Sequence, residues 1–164
     1  MHSAATDSGR DVELLKRTLE LAEMGISRAD GGPFGALIAK DDQVVSEAWN
    51  TVVSGHDPTA HAEVNAIRTA CEKLGTFHLR GCTLYASSEP CPMCLAAAYW
   101  AQVDRIVYAN PRLNAASIGF SDEDLYLELA LPQERRRIPH RQMTIDGATN
   151  VMEKWAKGEA KVPY

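Results

Sequence analysis

Residues 82–110 read CTLYASSEPCPMCLAAAYWAQVDRIVYAN and contain an apolar stretch, a proline-containing turn, an alanine-rich stretch and a second apolar stretch. The apolar stretches 82–86 and 105–108 predict strands, and the alanine-rich stretch 93–101 predicts a helix that begins after Pro92. A strand, a helix and a second strand in this order favour parallel strands joined by a right-handed crossover. The sequence therefore predicts an α/β fold in which helices cover a sheet.

A helix and a hairpin are predicted before this unit. Apolar residues spaced by three and four predict an amphipathic helix over residues 11–27, opened by Asp11; its apolar stripe comprises Val12, Leu15, Leu19, Ala22 and Ile26. The turn residues Asp41 and Asp42 separate the apolar stretches 36–39 and 44–49, which predicts the hairpin.

A second helix and a less regular C-terminal third complete the predicted elements. Residues 50–57 are polar and predict a loop, after which Pro58 allows a helix to start; its buried face would include Val64, Ile67, Cys71 and Leu74. Further helices are predicted over 123–131 and 149–157, and a short strand over 142–145.

Length, composition and charge limit the classes of protein that the chain can represent. With 164 residues, of which 45% are hydrophobic, it suits one compact domain, predicted over residues 11–164 after a flexible N-terminus at residues 1–10. The 22 acidic and 17 basic residues give a net charge of −5, the wrong sign for binding nucleic acid through its phosphates. No apolar stretch suits a signal peptide or a membrane span, so we expect a soluble cytoplasmic protein without a nucleic-acid or membrane partner.

The four cysteines are too few for a disulfide framework in a chain of this length, and we expect them to be reduced. Cys91 and Cys94 form a pair with two residues between them, whereas Cys71 and Cys82 stand alone. Metal binding or core packing must therefore account for the cysteines, and the pair is the first indication of a metal site.

Two short motifs place metal-binding side chains at predicted helix starts. Residues 57–63 read DPTAHAE and residues 90–94 read PCPMC. His61, Cys91 and Cys94 together offer one imidazole and two thiolates, which suit tetrahedral zinc, and three protein ligands leave the fourth position to water, as in catalytic sites. The partial positive charge of a helix N-terminus stabilises thiolates and favours metal binding.

Glu63 follows His61 by two residues, close enough to hold a carboxylate over a zinc-bound water. Zinc lowers the pKa of such a water towards about 7, so a nearby carboxylate can take its proton and return it to a leaving amine. His-x-Glu combined with Pro-Cys-x-x-Cys is the signature of zinc-dependent deaminases. The combination predicts zinc-dependent hydrolysis with Glu63 as the proton shuttle.

A structural zinc site or a redox-active pair is the alternative interpretation of the two paired cysteines. A structural site needs a fourth protein ligand, and the candidates, which form no second paired motif, are His56, Cys71, His78 and Cys82. A non-catalytic, zinc-stabilised interaction domain remains open on the same residues. Replacement of Glu63 by Gln would separate such a domain from an enzyme.

These motifs, together with four further segments, resemble the cytidine-deaminase-like zinc hydrolases. Residues 31–36 (GGPFGA), 57–63 and 89–97 (EPCPMCLAA) are similar to segments that this family shares with tRNA adenosine deaminases, and residues 99–101 (YWA) also match in order and spacing. Residues 116–122 (ASIGFSD) and the tail 155–164 are similar to members of the family that act on guanine. The resemblance covers nearly the whole chain.

The resemblance implies a three-layer α/β/α fold around a five-stranded mixed sheet, and a homodimer in which the C-terminal segment can be exchanged between subunits. It also implies one Zn²⁺ per subunit and a small nucleobase as substrate. Guanine would be converted to xanthine and ammonia by attack of zinc-activated water on the carbon that bears the exocyclic amine. Glu63 would protonate the neighbouring ring nitrogen and then the departing amine.

The resemblance further implies six substrate contacts, which are Asn50, Phe34, Ala62, Trp100, Asp122 and Tyr164. Asn50 would hold the polar edge of the base, and Phe34 and Trp100 would form apolar walls. Asp122 would accept a hydrogen bond from a ring N–H, and Tyr164 would close the pocket. Aromatic faces and a few convergent polar groups can both hold and select a flat purine.

Two other functions stay open at this point. The first is deamination of another aminated ring, such as guanosine, cytosine, isocytosine or an aminotriazine. The second is a tRNA adenosine deaminase, which should have a basic surface. The one cationic run, residues 135–137 with Arg141, is flanked by Glu128 and Glu134 and is interpreted as a solvated face. His56, near the expected pocket mouth, is interpreted as an exposed loop residue.

Overall fold

Four strands and seven helices make up the part of the chain that this computed structural model describes, residues 9–163. In chain order they are α1 (Gly9–Ser27), β1 (Gly35–Lys40), β2 (Gln43–Trp49), α2 (Val52–Gly55), α3 (Ala62–Leu74), β3 (Cys82–Ser88), α4 (Pro92–Trp100), β4 (Arg105–Asn110), α5 (Arg112–Ser117), α6 (Asp122–Ala130) and α7 (Asn150–Lys157). A single 3-10 turn, Gln133–Arg135, lies between α6 and α7.

The strands form one mixed sheet in the order β2-β1-β3-β4. β1 pairs antiparallel with β2 and with β3, whereas β3 and β4 are parallel and are connected by α4. The predicted strand-helix-strand unit and its parallel pairing are therefore confirmed. The hairpin is also confirmed, and Asp41 and Asp42 adopt positive φ angles of 47° and 60°, which match the right-handed twist of the strands that they join.

The expectation of five strands is wrong for the described residues, which contain four. The segment 142–145, predicted as a short strand, has no regular structure. Alternating apolar residues form a strand only when a neighbouring strand supplies backbone partners, and residues 142–145 pair with no strand among the described residues. The coarser expectation of an α/β fold with a mixed sheet is confirmed.

Helices cover both faces of the sheet. On one face α1 packs against the sheet through a core cluster of Leu14, Leu21, Leu37, Ala39 and Tyr85. On the other face α3 and α4 bury a larger cluster whose main members are Ile38, Ala66, Ile67, Leu84 and Ala98. Alternate residues of β1 point to opposite clusters, as expected for a strand buried on both sides.

The buried face of α1 agrees with the predicted stripe only in part. Ala22 is buried and Leu15 packs against the core cluster, as predicted. Val12, Leu19 and Ile26 are 42%, 42% and 52% exposed, whereas the buried positions include Leu14, Thr18 and Leu21. Leucines occur on several faces of this helix, so their spacing does not decide which face packs. The tertiary contacts decide it instead, because β1 approaches so closely that a β-carbon on residue 35 would lie 2.1 Å from the carbonyl oxygen of Thr18.

Asp11 does not open α1, which begins at Gly9. Its carboxylate is buried and accepts two hydrogen bonds from the Arg105 guanidinium, at 2.7 and 2.9 Å, and one from the Tyr85 hydroxyl. The Arg105 donors lower the pKa of Asp11, and burial of the Tyr85 hydroxyl raises its pKa to about 12. The network fastens α1 to β3 and β4.

The second long helix starts later than predicted. Residues 57–60 form a turn in which the Asp57 carboxylate accepts hydrogen bonds from the backbone N–H and the hydroxyl of Thr59, and α3 starts at Ala62. Of its predicted buried face, Val64 and Ile67 are buried, whereas Cys71 is half-buried and Leu74 is exposed because it ends the helix. The predicted loop 50–57 contains the short helix α2.

The contacts divide the described chain into two units, residues 9–125 and 126–163. The first contains the sheet and both core clusters. The second contains most of α6 and α7, which confirms the two helices predicted near the C-terminus, and no residue from 126 to 163 is buried. Among residues 9–163, none of the helices has the length and apolar character needed to cross a membrane.

Candidate functional site

The three residues predicted to bind metal stand at the starts of α3 and α4. His61 is the N-cap of α3 and Cys91 is the N-cap of α4, both with extended backbone angles, and Cys94 lies in the first turn of α4. Pro92 occupies the first position of α4, where its missing N–H leaves no helical hydrogen bond unmade. The two helix starts therefore project their side chains toward a common point.

The geometry of these three side chains fits a tetrahedral zinc ion. Nδ1 of His61 lies 3.6 Å from Sγ of Cys91 and 3.4 Å from Sγ of Cys94. Zn–S bonds of about 2.3 Å and Zn–N bonds of about 2.0 Å at a tetrahedral angle would separate such atoms by about 3.5 Å. All three donor atoms lie within 4.8 Å of one another, and both cysteines are buried. One imidazole and two thiolates are a donor set that zinc prefers.

The two thiols differ in pKa. The Cys94 thiol donates a hydrogen bond that lowers the pKa of Cys91 to about 4, and His61 contributes in the same direction. The Cys91 thiolate and burial raise the pKa of Cys94, while the hydrogen bond to Cys91 raises the pKa of His61. Cys91 is thus a thiolate at neutral pH, and it is stabilised further by its place at a helix N-terminus.

Glu63 is the second residue of α3 and is buried beside this cluster. Burial raises the pKa of its carboxyl group to about 7, and the nearby Cys91 thiolate acts in the same direction. A carboxyl group with such a pKa can both take up and release a proton near neutral pH.

No fourth protein ligand joins the cluster among residues 9–163, where the metal-binding group consists of His61, Cys91 and Cys94 alone. The candidates for a structural site lie elsewhere: His56 is an exposed residue that ends α2, Cys71 and Cys82 belong to the core on α3 and β3, and His78 precedes β3. A three-ligand cluster leaves one tetrahedral position open, which favours a catalytic over a structural site.

His61 and Cys91 of the cluster line a cavity together with Glu63, and the cavity is open to solvent. Its walls combine two aromatic rings, an amide, a hydroxyl and three carboxyl groups with two of the metal-binding side chains. The lining residues are Phe34, Asn50, His61, Glu63, Ser88, Glu89, Cys91, Phe120 and Asp122. Neither lysine nor arginine is among them.

Asn50 is buried and held in one orientation. Its side-chain oxygen accepts hydrogen bonds from the backbone N–H of Gly32 at 3.3 Å and of Val52 at 3.1 Å. Two backbone donors at one atom assign that atom as the oxygen, so the other polar atom of the amide is the nitrogen, which is a hydrogen-bond donor. Asn65 supports the same loop through hydrogen bonds to the carbonyl oxygens of Trp49 and Ala60.

Asp122 and Glu89 add carboxylates to the cavity wall. Asp122 is the first residue of α6, and burial raises the pKa of its carboxyl group. Glu89 accepts a hydrogen bond of 3.0 Å from the backbone N–H of Arg112 at one carboxylate oxygen, and its other oxygen lies 3.7 Å from Nε of the same arginine. Phe34 lies beside them with its ring against that of Phe120.

The structure brings together Asn50, Phe34 and Asp122 but not the other three predicted contacts. Trp100 does not line the cavity: it is 64% exposed at the end of α4, and nine helical residues separate it from Cys91 by about 13 Å. Ala62 is fully buried in the core and is not among the residues that line the cavity. Tyr164 lies outside the described residues.

Three lining residues were not predicted, namely Ser88, Glu89 and Phe120. Ser88 and Glu89 directly precede the PCPMC motif. Their closeness in sequence to the metal-binding cysteines could have predicted that they line the cavity. Phe120 lies inside the segment 116–122, whose resemblance to guanine-specific proteins drew attention to Asp122 only.

Known proteins resemble the chain over the site and beyond it. Residues 8–110 match the family described as the cytidine and deoxycytidylate deaminase zinc-binding region. Guanine deaminase of Bacillus subtilis is 45% identical over 150 residues, which are 92% of this chain and 96% of that protein. A crystal structure of that guanine deaminase superposes with a TM-score of 0.90 at 44% identity, covering 93% of this chain and 98% of the other.

Two further relatives share a smaller part of the chain. A structure of guanine deaminase from Nitrosomonas europaea superposes with a TM-score of 0.64 at 32% identity, covering 70% of this chain and 65% of that chain. A tRNA-specific adenosine deaminase of Aquifex aeolicus is 43% identical over 77 residues, which are 47% of this chain and 51% of that protein.

Proposed function

Because this chain belongs to the cytidine and deoxycytidylate deaminase zinc-binding family, we propose that it is a zinc-dependent hydrolase that converts guanine to xanthine and ammonia. The main support for the proposal is that a three-ligand metal cluster and a buried carboxyl group lie at the same cavity. The near full-length relationship to the Bacillus subtilis guanine deaminase supports guanine as the substrate.

His61, Cys91 and Cys94 would hold one zinc ion, which when bound supplies Lewis-acid activation of the attacking water. Glu63 would take one proton from that water and pass it to the ring nitrogen, and would then take the second proton of the same water and pass it to the leaving amine. Its position in the cavity and its pKa near 7 suit this exchange. Burial of the carboxyl group also keeps bulk water away from the proton that is being moved.

The polar groups of the cavity complement guanine. Guanine presents N–H donors at its pyrimidine and imidazole rings and one carbonyl oxygen. Asp122 and Glu89 offer carboxylate acceptors to ring N–H groups, and the Asn50 amide nitrogen offers a donor to the carbonyl. Phe34 and Phe120 contribute apolar surface to the flat ring, and the backbone N–H of Ala62, at the first position of α3, is free of helical partners.

A substrate panel with ammonia release as the readout tests this function. The zinc-loaded protein is assayed on guanine, guanosine, cytosine, isocytosine and an aminotriazine. We expect guanine to have the highest kcat/KM and to yield xanthine in equal amount to ammonia. If guanine is inert while another ring releases ammonia, the chemistry stands and the substrate is wrong; if none reacts, the enzyme assignment fails.

The charges of the cavity lining and of the segment 126–163 do not favour tRNA as the substrate. The cavity lining carries three carboxyl groups and no lysine or arginine, which disfavours the phosphates around a nucleotide. In the segment 126–163 the Arg136 side chain donates to the carbonyl oxygens of Leu129 and Leu131, and Arg137 pairs with Glu128 at 3.2 Å. Filter binding of tRNA at two salt concentrations should show no tight, steeply salt-dependent binding.

A homodimer in which the C-terminal segment packs on the partner subunit is part of the same proposal. Within residues 126–163, Ile138, Met143, Val151 and Met152 are each exposed by 67% or more, which is costly for large apolar side chains in water. Light scattering on the purified chain should give twice the monomer mass, and Met143→Asp combined with Met152→Asp should weaken the dimer. A wild-type chain that stays monomeric at high concentration would contradict the dimer.

The need for reduced cysteines indicates the cellular compartment of the protein. Cys91 and Cys94 must stay reduced to bind zinc, and both are free cysteines in the structure. We therefore place the protein in a reducing compartment such as the cytoplasm.

A further inference from the structure

Asn65 lies on α3 and is not one of the residues that line the cavity, but its side chain contacts two segments that carry site residues. The amide nitrogen lies 3.0 Å from the carbonyl oxygen of Trp49 and 3.0 Å from the hydroxyl oxygen of Thr51. It also lies 3.3 Å from the carbonyl oxygen of Ala60. An amide nitrogen carries two N–H groups, so three acceptors at these distances use its full donor capacity.

The first segment contains Asn50, the amide expected to hold the base. Trp49 and Thr51 are its two neighbours in the chain, so Asn65 holds the backbone before Asn50 and the side chain after it. The backbone N–H of Asn50 donates to the carbonyl oxygen of Phe34 at 3.0 Å, and Phe34 also lines the cavity. The position of Asn50 in the cavity therefore depends on hydrogen bonds made by residues around it.

The second segment leads directly into the metal cluster. Ala60 precedes His61, and its carbonyl oxygen accepts hydrogen bonds from the Asn65 side chain and, at 3.0 Å, from the backbone N–H of Thr51. Asn65 follows His61 by one helical turn, and its backbone N–H donates to the His61 carbonyl oxygen at 2.9 Å. Helical side chains point toward the N-terminus of their helix, which directs this amide to the residues before α3.

We propose that Asn65 is a positioning residue that holds the Asn50 amide in place relative to the metal cluster, so that the base binds at a fixed position beside it. The inference rests on the proposed function and adds to it a residue that neither lines the cavity nor belongs to the metal-binding group. Without the Asn65 donor, the carbonyl oxygen of Trp49 loses a hydrogen bond and the segment 49–51 can shift. Binding is then weaker, because a mobile group loses more freedom when the base binds.

Steady-state kinetics on guanine compares the full-length, zinc-loaded wild type with Asn65→Leu, which keeps the size of the side chain and removes its donors. We expect KM to rise at least about tenfold, the size of one lost hydrogen bond, with a smaller change in kcat and an unchanged zinc content. Ser46→Ala is the matched control, because it removes a buried hydroxyl of β2 that donates to the carbonyl oxygen of Ala66 on α3 at 2.7 Å. Ser46 does not line the cavity, so this variant should lose thermal stability and keep the wild-type KM.

Guanine binding tests whether Asn65 acts through Asn50. The Kd is measured in the Glu63→Gln background, where guanine should bind without being consumed, for Asn65→Leu, for Asn50→Ala and for both changes together. Asn65→Leu should raise the Kd at least about tenfold when Asn50 is present and less than about twofold when it is replaced, since the effects of residues that act as a unit are not additive. An equal effect in both backgrounds would overturn the inference.

Asn65→Asp, which has an oxygen in place of the donor nitrogen and should act in the same direction, is used if Asn65→Leu does not fold. An unchanged KM in an active protein would overturn the inference and leave the proposed function intact. Loss of zinc in the Asn65 variants would also overturn it, because the residue would then act on the metal cluster and not on Asn50. A wild type inactive on guanine would overturn the proposed function and the inference together.

Discussion

The side-chain oxygen of Asn50 lies 2.0 Å from the point where a β-carbon on residue 31 would stand, so the position of Asn50 depends on the glycine at 31. No side chain can be added there unless the amide moves. The Asn50 side chain lines the cavity beside Glu63. The Gly-rich segment before β1 therefore influences the site, although it is distant from the metal-binding motifs in the sequence.

Gly31→Ala should therefore displace the Asn50 amide and weaken guanine binding. We expect KM for guanine to rise at least about tenfold, the size of one lost hydrogen bond to a buried polar group, with zinc content unchanged. Steady-state kinetics together with metal analysis measures both quantities. Gly55→Ala is the matched control, because a β-carbon on residue 55 meets no atom within 4 Å. An unchanged KM in Gly31→Ala would show that Asn50 does not hold the base.

Glu63→Gln should keep zinc and the fold but lower kcat by about 100-fold or more, because the amide cannot carry the proton. Metal analysis, thermal unfolding and kcat are measured on the same preparation. KM for guanine should change little, since the side chain keeps its size. Retention of wild-type kcat would assign proton transfer to another group and return the non-catalytic zinc domain to consideration.

Cys94→Ser should lose zinc and activity together, since it removes one of three metal-binding side chains from a buried cluster. Cys71→Ser is the control among the cysteines, because Cys71 lies on α3 outside the cluster. Zinc per chain is measured after purification and after exposure to a chelator. If the two variants retained equal amounts of zinc, the cluster would not be the metal site.

Asp11→Asn should lower the free energy of unfolding near neutral pH by about 1–3 kcal/mol, toward the lower value because Arg105 is 39% exposed at its side chain. Arg105 holds the folded-state pKa of Asp11 below its ordinary value of 3.8. Its stabilisation is therefore complete well above pH 3.8 and is lost as the pH falls through the lower, folded-state pKa.

Urea unfolding of wild type and Asp11→Asn at several pH values measures this contribution. The difference between the two proteins should be largest near neutral pH and shrink below about pH 4. Glu13→Gln, in an exposed pair with Arg10, should change stability by less than about 0.5 kcal/mol. A difference for Asp11→Asn that is independent of pH would mean that the charge of Asp11 does not stabilise the fold.

The metal cluster was predictable because the residues that form it lie in two short sequence motifs. His61 and Cys91 are helix N-caps, and Glu63 and Cys94 follow each cap by two or three residues, so spacing along the chain determines their positions. The parallel strand pair was predictable for the same reason, since a strand, a short helix and a strand admit few arrangements.

Features that depend on distant partners were not predictable from the chain. The face of α1 is decided by contacts with β1 and by the Asp11 network, which the leucine spacing does not encode. Phe120 reaches the cavity through a turn whose path depends on Gly119 and on a gap at Gly32. The segment 142–145 has strand-like residues without a strand to pair with.

X-ray absorption at the zinc edge of the purified protein tests the central claim most directly, because it counts the atoms around the metal. We predict one zinc ion per chain bound by two sulfurs at about 2.3 Å, one imidazole nitrogen, and one oxygen from solvent. A third sulfur or a second imidazole in place of that oxygen would make the site structural and contradict the hydrolase. Protein that takes up no zinc when the metal is supplied would contradict it equally.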